Sequence, residues 1–292
     1  FVLPLLAISL LIGVLGAIGY WYLSEEIRRE THRTLTVIAE QKRQQIEDSL
    51  ARTRRDAELY FSGQSQLETS FRQWLDGGRQ DGELLERMRV RMEEVARIRD
   101  WAGLVVVDAA GRPVFSIGAT DIDAHAAAIK SILQKPRIEL MDLHRDASGE
   151  AHYGVLAPIG SPGETPLGVI YLTKKAEQVL YPLVQSWPVP TETAETYLVR
   201  RDGEAVRFLT PLRFRRDAAQ TLSLPLTTPH MPAARAAQGE RGIIAGGRDY
   251  RSVPVLAYAS PVAGTPWLMV AEMDEKEAYA DIRAIATSTA LI

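Results

Sequence analysis

The chain has 292 residues, a formal net charge of −3 and no cysteine. It therefore lacks the basic excess of a nucleic-acid footprint, and disulfides, thiolate catalysis and cysteine-ligated zinc are all excluded. Asparagine is absent as well, so no N-glycosylation sequon exists.

Residues Phe1 to Leu23 carry no charged side chain. At about 1.5 Å per residue they make a helix of roughly 34 Å, enough to cross a hydrocarbon core of about 30 Å. Tyr20, Trp21 and Tyr22 close it, where an aromatic belt would meet the interface. The competing reading is a cleaved signal peptide, but its apolar core runs to about 7–15 residues, shorter than this one. A transmembrane helix is expected over 1–23. From Ser24 to Ser62 there is neither proline nor glycine, and apolar residues fall at Ile27, Leu35, Ile38, Ile46, Leu50, Ala57 and Phe61. Those spacings draw one helical stripe on a helix over 24–62, about 58 Å long. Such a stripe packs on its own domain or pairs with a second copy.

After the Gly77-Gly78 pair, Leu84, Leu85, Met88, Met92, Val95 and Ile98 mark a helix over 83–99. The period then changes. Leu104-Val-Val-Val-Asp108 and Pro113-Val-Phe-Ser-Ile117 read as two strands around the turn Ala109–Arg112. A short helix over 121–133 follows, ended by Pro136, and strands resume at 138–143, 153–159 and 167–173. Lys174 to Gln185 reads as a helix that Pro188 and Pro190 end.

The same order then recurs. Tyr197–Gly203 and Ala205–Leu209 form a hairpin like that at 104–117. Val255 to Val270 echoes Val155 to Ile170, each reading strand, loop with Thr-Pro, apolar strand. A spacing of about 100 residues fits two tandem small domains. At the far end Asp274 is a candidate N-cap for a helix, and no charge follows Arg283, which reads as the opening of a second membrane span.

Two spans, a long first helix and two tandem units resemble the double Cache sensor family, whose units have a PAS-like fold. The hairpin Leu104–Ser116 resembles the family's first two strands. The segment Leu180-Tyr-Pro-Leu-Val-Gln-Ser-Trp-Pro-Val-Pro-Thr-Glu-Thr-Ala-Glu195, followed by Leu198–Gly203, is similar to one in ectodomains of bacterial histidine kinases and cyclic-di-GMP enzymes. Where many relatives carry Asn-Glu-Leu-Arg, this chain has Thr210-Pro-Leu-Arg213. The expected fold is α+β: a transmembrane helix at 1–23, a periplasmic helix at 24–62, and a membrane-distal PAS-like unit at 63–173. A linker helix at 174–194, a membrane-proximal unit at 195–273, and an exit helix leading into a second span at 274–292 complete it. The resemblance implies the extracytoplasmic ligand-sensing region of an inner-membrane receptor, residues 24–283 lying outside the cytoplasm and pairing as a homodimer. It implies a histidine kinase as the output, with a diguanylate cyclase as the alternative. A non-ligand-binding module for a periplasmic partner protein is the other class. The family's Arg-x-Trp-Tyr amino-acid pattern stands here as Arg99-Asp-Trp-Ala102, without the tyrosine, so no amino-acid ligand is assigned.

No nucleophile elbow, HExxH, phosphate loop or dinucleotide fingerprint occurs, so this region is read as a non-enzyme with no cofactor. For an unknown small-molecule ligand, a curled sheet closed by helices offers Trp101, Ser116, Asp121, Asp123, Tyr153 and Tyr171 as aromatic walls and polar anchors. Trp187 and Trp267 are assigned to the core of the second unit, and Arg213, Arg215 and Arg216 to a solvated face or an anionic lipid contact. Around the turn Asp146–Gly149, His144 and His152 fall opposite each other, with Asp142 on their face by alternation. The trio suits a divalent metal or a pH response, against the plainer reading of a solvated hairpin tip.

Overall fold

The computed structural model describes residues 2–118, 122–146 and 148–290, and the side chains of all of these except residues 2–9, 12 and 287–290. Helix α1 runs Val2–Glu58. Short-range pairs such as Arg29–Glu25 and Arg43–Glu40 support it. Its buried positions, Leu35, Ala39, Lys42, Ile46, Leu50, Thr53 and Ala57, follow the predicted stripe, so that face is covered by the chain itself. Among the described residues no helix is long and apolar enough to cross a membrane. Much of the expected span at 1–23 lies outside the described side chains, as does the end of the expected second span. Of the first, Leu10, Leu11, Val14, Leu15, Ile18, Trp21, Tyr22 and Leu23 are described and exposed.

The chain divides into two compact units. One comprises Gln44–Val184 with Ala263–Pro266; the other comprises Phe1–Arg43, Gln185–Val262 and Trp267–Ile292. Helix α1 contributes residues to both.

In the first unit, α2 (Gln66–Asp76) starts where Ser65 Oγ accepts from Glu68 N, and α3 (Gly82–Ile98) where Asp81 accepts from Leu84 N. Leu84, Met88, Met92 and Ala96 form the buried stripe of α3, while Ile98 is exposed. Strands β1 (Gly103–Asp108), β2 (Pro113–Ile117), β3 (Glu139–Arg145), β4 (Ala151–Ile159) and β5 (Gly168–Lys175) make an antiparallel sheet in the order β2-β1-β5-β4-β3. One face, with Leu104, Val106, Val155, Ala157, Ile170 and Leu172, packs with Phe71, Trp74, Met88 and Met92. The other, with Val105, Val107, Leu156, Val169 and Tyr171, packs with Ile129 and Ile132 of α4 (Ala126–Gln134). A sheet buried on both faces explains the unbroken apolar runs.

The predicted helix at Lys174–Gln185 is shorter. Strand β5 continues through Lys175, and α5 occupies only Leu180–Gln185.

In the second unit, β6 (Glu195–Asp202), β7 (Ala205–Phe208), β8 (Ser223–Pro225), β9 (Gly242–Arg248), β10 (Pro254–Pro261) and β11 (Trp267–Asp274) lie in the order β8-β7-β6-β11-β10-β9. Without the edge strand β8, this is the order of the first sheet again. The repeated sequence at 155–170 and 255–270 therefore marks equivalent strand pairs. Helix α6 (Pro232–Ala237) lays four alanines against Tyr197, Val199, Phe208, Ala257 and Val270. Helices α7 (Glu275–Ala278) and α8 (Ala280–Ala290) end the chain. Trp267 is buried as expected; Trp187 is only half-buried and borders a crevice of about 290 Å³ beside Ile27, Thr31 and Leu35.

Gly154 on β4 is required by close approach. A Cβ there would lie 2.4 Å from the Leu172 carbonyl oxygen and 2.8 Å from the Tyr171 ring. Gly154→Ala is expected to cost about 1–3 kcal/mol in urea unfolding, the range for overpacking a tight core.

Candidate functional site

On β5, Val169 and Tyr171 point to α4 while Ile170 and Leu172 point away. A short 3-10 turn at Asp123–His125 leads into α4 and places His125 over the sheet. The Tyr171 hydroxyl and His125 Nε2 are 3.0 Å apart, both buried. The His144 ring meets His125 edge-on, with centres 4.8 Å apart, and His152 lies 6.4 Å beyond His144. Carbonyls only accept, so His144 Nδ1 carries the proton it donates to the Asp142 carbonyl at 3.0 Å. One phenol and three of the five histidines thus form a polar row beside an otherwise apolar face.

The sequence-predicted ligand residues do not converge. Tyr171 is in this row, and Ser116, paired with Val105, shares its sheet face but is exposed on the edge strand. Asp123 is exposed, and Asp121 lies outside the described residues. Tyr153 turns to the opposite face, beside Ser49 and Thr53 of α1, where burial pushes its phenol up to about 12. Trp101 borders a cleft of about 590 Å³ lined by Tyr60, Leu67, Met88, Met92, Arg91 and Arg99. Strand alternation separates Tyr153 from Tyr171, because the two occupy opposite faces of neighbouring strands.

The metal trio also changes. His144 pairs with His152 in the ladder, but the register shifts between Met141 and His144. That bulge breaks the alternation used to place Asp142 beside the imidazoles. Asp142 accepts from the neighbouring Leu143 N at 2.8 Å. The carboxylate that reaches His152 is Asp146, with Oδ2 3.4 Å from Nδ1.

Sequence reasoning missed a second polar centre, in the second unit. Glu195, Asp249 and Glu272 are 5%, 2% and 1% exposed, and they offer oxygens within 4.8 Å of one another. Tyr197 donates to Glu272 at 2.7 Å and Tyr250 to Glu195 at 2.7 Å, and Arg213 N also donates to Glu195. Arg251 bridges Asp249 to Asp274, the residue that opens α7. Within α7, Glu277 accepts from Thr191 and Thr193, tying the helix to the entry of β6. Burial, then the neighbouring Glu195 charge, raises Glu272 well above its usual range. Burial also raises Glu195. A glutamate inside the apolar run Trp267–Met273 was the available signal; His125, before an alanine-rich helix, offered none.

No protein-family model and no curated protein matches the chain. Solved structures do. The ligand-binding domain of the Pseudomonas aeruginosa PAO1 amino acid chemoreceptor PctB, in complex with L-Arg, is 14% identical. The match covers 86% of this chain and 98% of that one, with a TM-score of 0.55. The extracellular domain of a protein described as a histidine kinase, vpHK1S-Z8, is 15% identical over 87% of this chain and 96% of that one, with a TM-score of 0.61. The sensory domain of the Campylobacter jejuni chemoreceptor Tlp3, with isoleucine bound, is 10% identical over 88% and 98%, with a TM-score of 0.58. The chain therefore shares the fold of these receptor ligand-binding and sensory domains.

The raised Glu272 predicts a pH effect. A carboxyl that keeps its proton longer in the folded state stabilises the protein below the ordinary value of 4.5 and loses that contribution as pH rises. Glu272→Gln keeps an acceptor for Tyr197 and carries no charge. Relative to wild type, the variant should become progressively more stable in urea melts as pH rises above the ordinary carboxyl value of 4.5.

Proposed function

We propose that the chain is the extracytoplasmic ligand-sensing region of a membrane-bound signal-transduction receptor, with binding and not catalysis as its role. The observation that carries this reading is the buried Tyr171–His125 pair on the α4-covered face of a sensor fold. Polar groups set into an apolar, covered sheet face are the composition of a small-molecule site. The neighbours support the ligand class: PctB was solved with L-Arg, PctC with GABA and Tlp3 with isoleucine. Amino acids and amines therefore come first here, although Ala102 stands where the familiar pattern has tyrosine.

On this reading residues 63–173 sense, residues 195–273 relay, and the last helix carries the change through the membrane to a histidine kinase output. The ties of Asp274 and Glu277 to the second sheet support a relay, because they join the exit helix to buried strand residues. Two copies would pair along the face of α1 that its own chain leaves uncovered, where Val37 is exposed, and the uncharged segment at 1–23 is the membrane anchor.

A thermal-shift screen of the chain against amino acids, amines, organic acids and purines tests the proposal. One chemical class should raise the melting temperature, since ligand at about 100 times its Kd adds roughly 2.7 kcal/mol. Tyr171→Phe should weaken that ligand by about tenfold, the loss of one hydrogen bond to a buried polar partner. A flat response across the screen overturns the reading.

A further inference from the structure

The hairpin joining β3 and β4 holds a donor set that the sensory reading does not use. Asp146, Glu150 and His152 each offer one ligand atom within 4.8 Å of the others. His152 and Asp146 are enclosed, with side chains 4% and 6% exposed. Asp146 Oδ1 accepts from Ser148 N at 2.9 Å, Ser148 Oγ at 2.6 Å and Glu150 N at 3.0 Å. Those three bonds fix the carboxylate and turn Oδ2 toward His152.

Oδ2 is the anomaly. It is buried, and among the described residues it has no hydrogen-bond partner. It lies 3.4 Å from His152 Nδ1, too long for a good charge-assisted bond. An ionised oxygen and an imidazole nitrogen thus face each other across a gap that a hydrogen bond does not close. Tetrahedral zinc sites hold nitrogen and oxygen ligands at about 2.0–2.1 Å, so two ligands of one ion sit roughly 3.3–3.4 Å apart. The observed separation is that edge.

We propose that Asp146, His152 and Glu150 bind a divalent transition-metal ion of the zinc class. One imidazole with two carboxylates suits such a borderline ion better than calcium or magnesium, which take oxygen ligands. The hydrogen bonds to Asp146 Oδ1 are the outer support that metal-ligating carboxylates require. His144, directly across the ladder from His152, is the nearest further imidazole. Lys175 is the built-in competitor, with Nζ 2.7 Å from Glu150 Oε2. The metal must take Glu150 from that lysine. The proposed ligands do not include Tyr171 or His125, which His152 approaches only by way of His144.

Isothermal titration of the whole chain with zinc chloride, and separately with magnesium chloride, tests this. One zinc ion per chain and no magnesium binding are expected. Asp146→Asn and His152→Ala should each weaken zinc at least about tenfold, and Glu150→Gln should weaken it less. Glu150 is exposed, so its variant keeps the test valid if a buried substitution fails to fold. Lys175→Ala should tighten binding by freeing Glu150. His230→Ala, remote in sequence from the hairpin, should change nothing. Zinc affinity unaltered by Glu150→Gln and Lys175→Ala, or lost equally in His230→Ala, overturns the proposal. The small-molecule thermal-shift screen is a separate readout, so either proposal can fail while the other stands.

Discussion

A strand covered on both faces leaves its polar side chains no route to water. That constraint governs both sheets of this protein. Strands β1, β4, β5 and β11 are buried along nearly their whole length, so each hydrogen-bonding group on them must find a partner inside or remain unsatisfied. Thr173 Oγ1 donates to the Gly103 carbonyl, Tyr171 meets His125, and Tyr197 donates to Glu272. Each is a polar residue on a doubly covered strand, and each pairing fixes a contact across the sheet or onto a covering segment. The polar centres exist because the strands are buried; they are not additions to an otherwise apolar core.

The two units share a strand order but fill it with different chemistry. Imidazoles and a phenol occupy the first, so its polar row can offer ring nitrogens as ligand atoms or hydrogen-bond partners. Carboxylates, tyrosines and Arg251 occupy the second. Three buried acids with one guanidinium cannot all ionise cheaply, and raised values at Glu195 and Glu272 are the physical outcome. Arg251 bonds Asp249 and Asp274 together, so the charge balance of that cluster is shared with the first residue before α7. Electrostatics in the second unit is therefore coupled to where its last helix begins.

Much of this fold was legible because its signals are local or repetitive. The strand Pro113–Ile117 and the α3 stripe follow from apolar spacing, and the echo between 155–170 and 255–270 reports a repeated strand pair. The opposition of His144 and His152 could be counted from the turn. The site was less legible, because its geometry depends on exceptions to periodicity. One extra residue in β3 breaks the alternation that grouped Asp142 with the imidazoles, and Asp146 in the turn is a carboxylate that reaches His152. Alternation by itself parts Tyr153 from Tyr171, yet their faces could be assigned only once the neighbours of each strand were known. His125 is brought onto the sheet by a 3-10 turn that no sequence period encodes, and α6 and β8 were too short to register.

On the proposed reading, a ligand acts only if it binds one arrangement of the protein better than another. The segment best suited to differ between two arrangements is the 3-10 turn and α4. Helix α4 has nine residues, and its N-cap, His125, makes no side-chain capping bond. A helix so short has little stability of its own and depends on what its faces touch. Ile129 and Ile132 hold its middle to the sheet, and at its start His125 meets the Tyr171 hydroxyl. A ligand that takes up either partner must replace that contact, and α4 then begins from a different anchor. On that reading the pair proposed to meet the ligand also helps to position the element covering it, and a ligand engaging the pair would bind the two arrangements with different affinity.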